Sequence, residues 1–104
     1  LENPYRSLWI AEQDLVPVGT VRFDYDPAED PERWELSWTV APEVRGRGVG
    51  ALIVETAVQA HGAPLWAQIK PGNIASQKIA ERTGFKLLAE EEDMTYWIYD
   101  PPAS

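Results

Sequence analysis

Apolar and polar residues alternate from Val18 to Tyr25, with Val21, Phe23 and Tyr25 on one side and Thr20, Arg22 and Asp24 on the other. That is the period of a half-buried strand. Trp34 to Val40 repeats it, with Trp34, Leu36, Trp38 and Val40 facing one way and Glu35, Ser37 and Thr39 the other. After an irregular lead containing Asn3 and Pro4, Leu8-Trp9-Ile10-Ala11 opens a further strand that runs to Gln13. Asp14 to Pro17 supplies turn residues, so the first two strands are expected to form a hairpin. Asp26 to Arg33 holds two prolines and five charges and is expected to be a solvent loop.

From Val49 to Ala60 the period changes. Positions 49, 52, 53, 56, 57 and 60 recur at helical spacing, Thr56 contributing its methyl, while Glu55 and Gln59 lie opposite. His61-Gly62 is expected to end this helix, the glycine in a left-handed conformation and the histidine as a capping residue at the negative end of the dipole. Pro64 to Lys70 reads as a fourth strand, stopped by Pro71-Gly72. Strand, helix and strand in this order predict a right-handed parallel crossover. Asn73 to Thr83 is the second helix, with Asn73 as N-cap, Ile74, Ile79 and Ala80 as its apolar positions, and Gly84 just past its end. Phe85 is expected to fold back on Ile79. Lys86 to Ala89 and Met94 to Tyr99 complete the strands around the acidic turn Glu90 to Asp93, and Asp100 to Ser104 is expected to fray. The order β-β-β-α-β-α-β-β predicts one α+β domain over residues 1–104, built on a mixed, mostly antiparallel six-stranded sheet with a single parallel crossover.

At 104 residues and a net charge of -8, the chain has room for one modest core and is a poor partner for a nucleic-acid backbone. Absence of cysteine removes disulfides, thiolate nucleophiles and thiolate metal sites, and a lone histidine, His61, removes histidine-based metal clusters. No apolar run reaches the roughly 18 residues of a membrane span, and no signal peptide is visible, so a cytoplasmic location is expected. The chain starts at Leu1 rather than Met, so a processed product or an excised domain is expected. The five tryptophans, Trp9, Trp34, Trp38, Trp66 and Trp97, read as core or interface residues.

Between the third strand and the first helix, Gly46, Gly48 and Gly50 alternate with Arg45, Arg47 and Val49. Glycines let the backbone approach a ligand closely, and the helix start directs unpaired N–H groups and a positive dipole at it, a combination suited to phosphate or pyrophosphate. The Walker lysine and the GxGxxG spacing are both absent. Arg45-x-x-Gly48-x-Gly50, preceded by Val40-Ala41-Pro42-Glu43, resembles the Arg/Gln-x-x-Gly-x-Gly/Ala motif of the GNAT superfamily of N-acetyltransferases. Asn73-x-x-Ser76 followed by Gly84-Phe85 resembles the second helix of the branch that acetylates ribosomal-protein N-termini and some amino sugars. The resemblance covers nearly the whole chain from the family's second strand onward; the family's first strand and next two helices, which build much of the acceptor wall, have no counterpart.

The resemblance implies an N-acetyltransferase that uses acetyl-coenzyme A. Its acceptor would be a small-molecule amine, an amino sugar or a peptide N-terminus, with a homodimer or partner domain as a way to complete the acceptor site. A coenzyme A-binding or assembly module without an acceptor site is the alternative. Implied cofactor contacts are the backbone of Trp38, Thr39 and Val40, the turn Arg45, Gly46, Arg47, Gly48, Val49 and Gly50, and Asn73 and Ser76. Many members carry a proton-donating tyrosine seven residues after the asparagine. Here that position is Ala80, so Ser76 becomes the candidate near the sulfur, with Tyr96 and Tyr99 as weaker ones. Without a cysteine the amine must attack the thioester directly. Glu35 is the candidate base for the attacking amine, or else a solvent-facing strand carboxylate, and the N–H near Val40 is the candidate oxyanion donor.

Overall fold

A computed structural model describes residues 5–28 and 33–102. Its strands are β1 (Arg6–Gln13), β2 (Val16–Asp26), β3 (Arg33–Val40), β4 (Leu65–Ile69), β5 (Lys86–Glu90) and β6 (Thr95–Tyr99), and its helices are α1 (Val49–His61) and α2 (Ile74–Arg82). A single 3₁₀ turn, Pro42–Val44, links β3 to the glycine turn. The six strands form one sheet in the order β1-β2-β3-β4-β6-β5. All neighbours are antiparallel except β3 and β4, which run parallel in register at Glu35 and Trp66. The α+β class and the single parallel crossover are therefore as the pattern predicts. The Asn3-Pro4 lead, most of the loop after Asp26 and the last two residues lie outside the described residues.

The core lies on one face of the sheet. Val21, Leu36, Leu65, Ala67, Ile69 and Trp97 from the strands cluster with Ile53, Val54, Ala57 and Val58 of α1 and with Ala80 of α2. The other face carries Arg22, Asp24, Glu35, Ser37, Thr39, Trp66 and Tyr96 and is covered by no helix among the described residues. Phe85 packs in the core between Trp38 and Tyr99, with ring centroids 6.0 and 5.6 Å away.

The first hairpin turns more tightly than expected. Only Asp14 and Leu15 connect the strands, both at positive φ, 52° and 67°, the conformation of a two-residue type I′ turn. Val16 and Pro17 therefore belong to β2. A bulge at Val18 shifts the register between Ala11 and Glu12, which gives Pro17 a place in a strand despite its missing N–H.

The buried stripe of α1 also differs from the predicted one. Gly50, Ala51, Ile53, Val54, Ala57 and Val58 are buried, whereas Leu52 is 61% exposed and Thr56 and Ala60 are exposed. The cause is that α1 is apolar nearly all round, so periodicity does not fix its rotation; close packing of Gly50 on Ile79 does. In α2, Ala80 is buried and Ile79 packs on the core, but Ile74 is 54% exposed. Trp9 is 63% exposed, and Trp66 lies on the open face under the Arg33 guanidinium, 3.8 Å from the ring centroid.

His61 is the last residue of α1, and Gly62 caps the helix through its N–H to the Val58 carbonyl. The imidazole does not serve the helix dipole as expected. It stacks on Phe23 at 5.3 Å and meets Trp34 edge-on at 5.4 Å, Nε2 is buried without a hydrogen-bond partner, and burial pushes its pKa below the usual histidine value.

Candidate functional site

The end of β3 and the first turns of both helices surround a cleft of about 610 Å³. Its formation begins with the phase of the β2–β3 ladder. The Ala41 N–H donates to the Val18 carbonyl, and the register runs without a shift from Gly19–Val40 to Asp26–Arg33. Hydrogen-bonded and non-bonded pairs alternate in such a ladder. Residues 37, 39 and 41 therefore direct their backbone groups at β2, while Trp38 and Val40 direct theirs the other way. There β4 pairs with β3 only at Glu35 and Trp66, so the N–H and carbonyl of Trp38 and Val40 face an opening. Arg45 folds back across it, its Nε donating to the Val40 carbonyl at 3.2 Å. The Trp38 indole Nε1 is buried beside the cleft without a partner.

The glycine turn forms the second wall. Gly46 and Gly48 have φ of 80° and 78°, which a residue with a Cβ adopts only under strain. Gly48 is the N-cap of α1 and no side chain caps the helix. The first bond back to the cap is Leu52 N–H to the Gly48 carbonyl, so the N–H groups of Val49, Gly50 and Ala51 have no partner within the helix. Gly50 and Ala51 line the cleft.

The third wall is α2. Asn73 is its N-cap, its Oδ1 accepting from the Ser76 N–H at 3.2 Å. The Gln77 amide holds the preceding turn by donating to the Lys70 and Pro71 carbonyls. Asn73, Ala75, Ser76, Lys78, Ile79 and Arg82 line the cleft, and Arg82 Nη1 stands 3.8 Å from where a Cβ on Gly48 would be.

Of the predicted residues, Trp38, Thr39, Val40, Arg45, Gly46, Gly48, Gly50, Asn73 and Ser76 are thus brought to one cleft, which Arg47 and Val49 do not line. Lys78 and Arg82 were missed. Their signal was a basic pair at i, i+4 on the helix that begins at Asn73, which the pattern alone does not separate from a solvated face.

Glu35 is not a cleft residue. It lies on the open face of the sheet, half-buried, opposite Asp24 in the ladder. Burial raises its pKa and Asp24 adds to the rise, against the opposing pull of Arg22 and Arg33. Asp24 itself is held below the usual range. Its partial burial acts upward, but hydrogen bonds from Arg6 Nε at 2.6 Å and Arg22 Nε at 2.7 Å, with their charges, outweigh it. Ser37 and Thr39 continue the Glu35 face toward the cleft, and Thr39 shares a hydroxyl hydrogen bond of 2.7 Å with Thr20. Tyr96 and Tyr99 do not line the cleft. A hydrogen bond with Glu91 raises the Tyr96 pKa, so its phenol keeps its proton.

An open backbone edge, an uncapped helix start and three cationic side chains around one cleft define a site for an elongated anionic ligand with amide groups. A profile of the Acetyltransferase (GNAT) family matches residues 1–85. The chain belongs to that family. No curated protein sequence matches it significantly. Among solved structures it is similar to AAC(6')-Ib in complex with ribostamycin and coenzyme A, at 16% identity and a TM-score of 0.82, covering 92% of this chain and 64% of that one. It is also similar to the Campylobacter jejuni N-acetyltransferase PseH in complex with acetyl coenzyme A, at 18% identity and a TM-score of 0.74, covering 94% and 70%. A third is the GNAT domain of S. lividans PAT, at 23% identity and a TM-score of 0.75, covering 92% and 61%. The chain therefore spans 61–70% of the length of these three. Among the described residues no helix is long and apolar enough to cross a membrane, and no three His, Asp or Glu side chains converge on a metal position.

Proposed function

We propose that the chain binds acetyl-coenzyme A in the cleft and transfers the acetyl group to a primary amine, which is a small amine, an amino sugar or a protein N-terminus, in the cytoplasm. The observation that carries this reading is the meeting of the uncapped α1 start, with its two left-handed glycines, and the unpaired edge of β3. The residues fit the ligand. Free N–H groups of the first turn, with Lys78 and Arg82, suit phosphates, and the edge at Trp38 and Val40 suits an amide-bearing arm laid alongside it as an added strand.

Bound acetyl-coenzyme A supplies an activated thioester. The protein's own contributions follow from the geometry. The Val40 N–H, aimed into the opening, donates to the oxygen on which negative charge develops. Ser76 stands at the α2 wall of the cleft and offers its hydroxyl to the leaving sulfur. Glu35, whose raised pKa makes it a better base than an ordinary carboxylate, takes the proton of the amine through water held along Ser37 and Thr39, since it is some 13 Å from Thr39 by strand rise.

One observation favours the second reading, a coenzyme A-binding module without its own acceptor site: Glu35 lies outside the cleft, on a sheet face that no helix covers among the described residues. Release of free thiol from acetyl-coenzyme A, measured across a panel of primary amines, separates the two. Amine-dependent release above the hydrolysis rate is expected. Saturable binding with no amine-dependent release from any member of the panel would leave only the binding module.

A further inference from the structure

Arg45 is a cationic residue of the cleft with no part in the steps assigned to Val40, Ser76 and Glu35. The ladder phase sends the backbone groups of Trp38 and Val40 toward β4, but β4 pairs with β3 only at Glu35 and Trp66, so the outer side of this strand end has no partner strand. Arg45 takes the partner's place at one point, its Nε donating to the Val40 carbonyl at 3.2 Å. We propose that Arg45 is a positioning residue, an assignment that rests on the acetyl-coenzyme A reading of the cleft. Through Nε it pins the end of β3 from the cleft side and keeps the Val40 N–H aimed at the thioester carbonyl, while its charge stays at the glycine turn.

The carbonyl that Arg45 holds belongs to a peptide already fixed on its other sides. The Ala41 N–H of the same peptide donates to the Val18 carbonyl of β2 at 2.8 Å. Val40 Cγ2 stands 3.0 Å from where a Cβ on Gly50 would be, so the side chain is wedged against the start of α1. The motion left to the strand end is a tilt toward or away from β4, which the Val40 N–H shares, and the Arg45 bond opposes that tilt. The anchor is itself short. Only the 3₁₀ turn Pro42–Val44 separates Arg45 from the strand, and the Val44 N–H donates to the Ala41 carbonyl at 3.1 Å.

The bond uses one nitrogen of the guanidinium. Both Nη groups lie beyond it, on a side chain that lines the cleft with Gly46 and Gly48, so one planar group links the residue that polarises the thioester to the turn that holds phosphate. The donor and the charge are chemically separable. Glutamine carries its amide nitrogen at the same number of bonds from Cα as Nε, so Arg45→Gln keeps the donor and loses the charge. Arg45→Met, of similar length, loses both, as does Arg45→Ala.

Nuclear magnetic resonance on the whole chain tests the assignment without a turnover measurement. All three variants should bind acetyl-coenzyme A about tenfold more weakly than the parent, having lost the same charge. They should differ at Val40. Without ligand, the Val40 carbonyl carbon should keep its parent position in Arg45→Gln and move upfield in Arg45→Met and Arg45→Ala, where no donor remains. With saturating acetyl-coenzyme A isotope-labelled at the thioester carbonyl, the bound signal should lie downfield of the free ligand in the parent and in Arg45→Gln, the sign of a donor on its oxygen. In Arg45→Met and Arg45→Ala it should return most of the way to the free position. Arg45 is exposed, so none of these changes removes core packing, and two donor-free variants keep the test decisive if one fails to fold. Carbonyl signals in the donor-free variants identical to those of the parent would overturn the positioning role and leave cofactor binding standing, as would an Arg45→Gln chain that behaves like Arg45→Met. A folded parent that binds no acetyl-coenzyme A would overturn both.

Discussion

Gly50 of α1 and Ile79 of α2 meet with no space for a side chain between them: a Cβ on Gly50 would lie 2.6 Å from Ile79 Cδ1 and 3.0 Å from Val40 Cγ2. This contact sets how closely the two helix starts approach β3, and so the width of the cleft. Alanine normally improves a helix by up to about 1 kcal/mol over glycine. Here overpacking outweighs that gain, and Gly50→Ala should destabilise the fold by about 1 kcal/mol and Gly50→Val by about 2–3 kcal/mol. Adding Ile79→Val to Gly50→Ala removes Cδ1 and should recover part of the loss. Denaturant midpoints check this, and a Gly50→Ala chain more stable than its parent would show that the helices separate freely.

Arg82 and Lys78 add positive charge to the turn from the opposite wall. If they hold phosphates, Arg82→Ala should weaken acetyl-coenzyme A binding about tenfold, the value of one charge-assisted hydrogen bond. The double variant should bind with a shallower salt dependence than the parent. Titrations at two ionic strengths measure both, and unchanged affinity in the double variant would place the phosphates elsewhere.

Burial of His61 between Phe23 and Trp34 makes stability depend on pH. Its folded pKa is depressed below 6.5, so between that value and 6.5 the unfolded chain binds more protons than the folded one, and stability rises with pH. Unfolding should become easier as pH falls below 6.5, and this part of the dependence should vanish in His61→Phe. The Asp24 ion pairs are lost only at lower pH, because the folded pKa of Asp24 lies below 3.8. Chemical denaturation at a series of pH values separates the two.

The open-face position of Glu35 gives a sharp expectation for catalysis. Glu35→Gln should lower amine-dependent acetyl transfer by about 10² to 10⁴ and leave acetyl-coenzyme A affinity unchanged, since Glu35 does not line the cleft. In the parent the acid limb of the rate profile should lie above the ordinary glutamate pKa of 4.5, because burial and Asp24 both raise it. Persistence of that limb in Glu35→Gln would assign the base to another group.

Much of the fold was legible because alternation is unambiguous where one face is buried. Val21 with Phe23, and Leu36 with Trp38, announced β2, β3 and the core face. Asn73 and Gly84 marked the ends of α2 through cap chemistry that needs no tertiary context. The rotation of α1 was not legible, since Leu52, Val54 and Val58 are equally apolar and only the packing of Gly50 on Ile79 chooses among them. The hairpin itself was legible, but its turn was drawn two residues too long because Leu15 adopts a positive φ that its side chain disfavours. The cleft-lining part of the site was readable from Arg45-x-x-Gly48-x-Gly50 and Asn73-x-x-Ser76. Lys78 and Arg82 were not, because a basic pair on a helix looks the same whether it faces solvent or a cleft.

The central claim is that the start of α1 holds the cofactor, and calorimetric titration with acetyl-coenzyme A, for the parent and for Gly48→Glu, tests it most directly. At Gly48 a side chain meets a φ of 78° and projects toward Arg82, so a glutamate there would both fill the turn and pair with the guanidinium meant for phosphate. The account predicts micromolar binding by the parent and loss of binding in Gly48→Glu with the fold intact by circular dichroism. Equal affinity in the two proteins, or no binding by the folded parent at high ligand concentration, would contradict it.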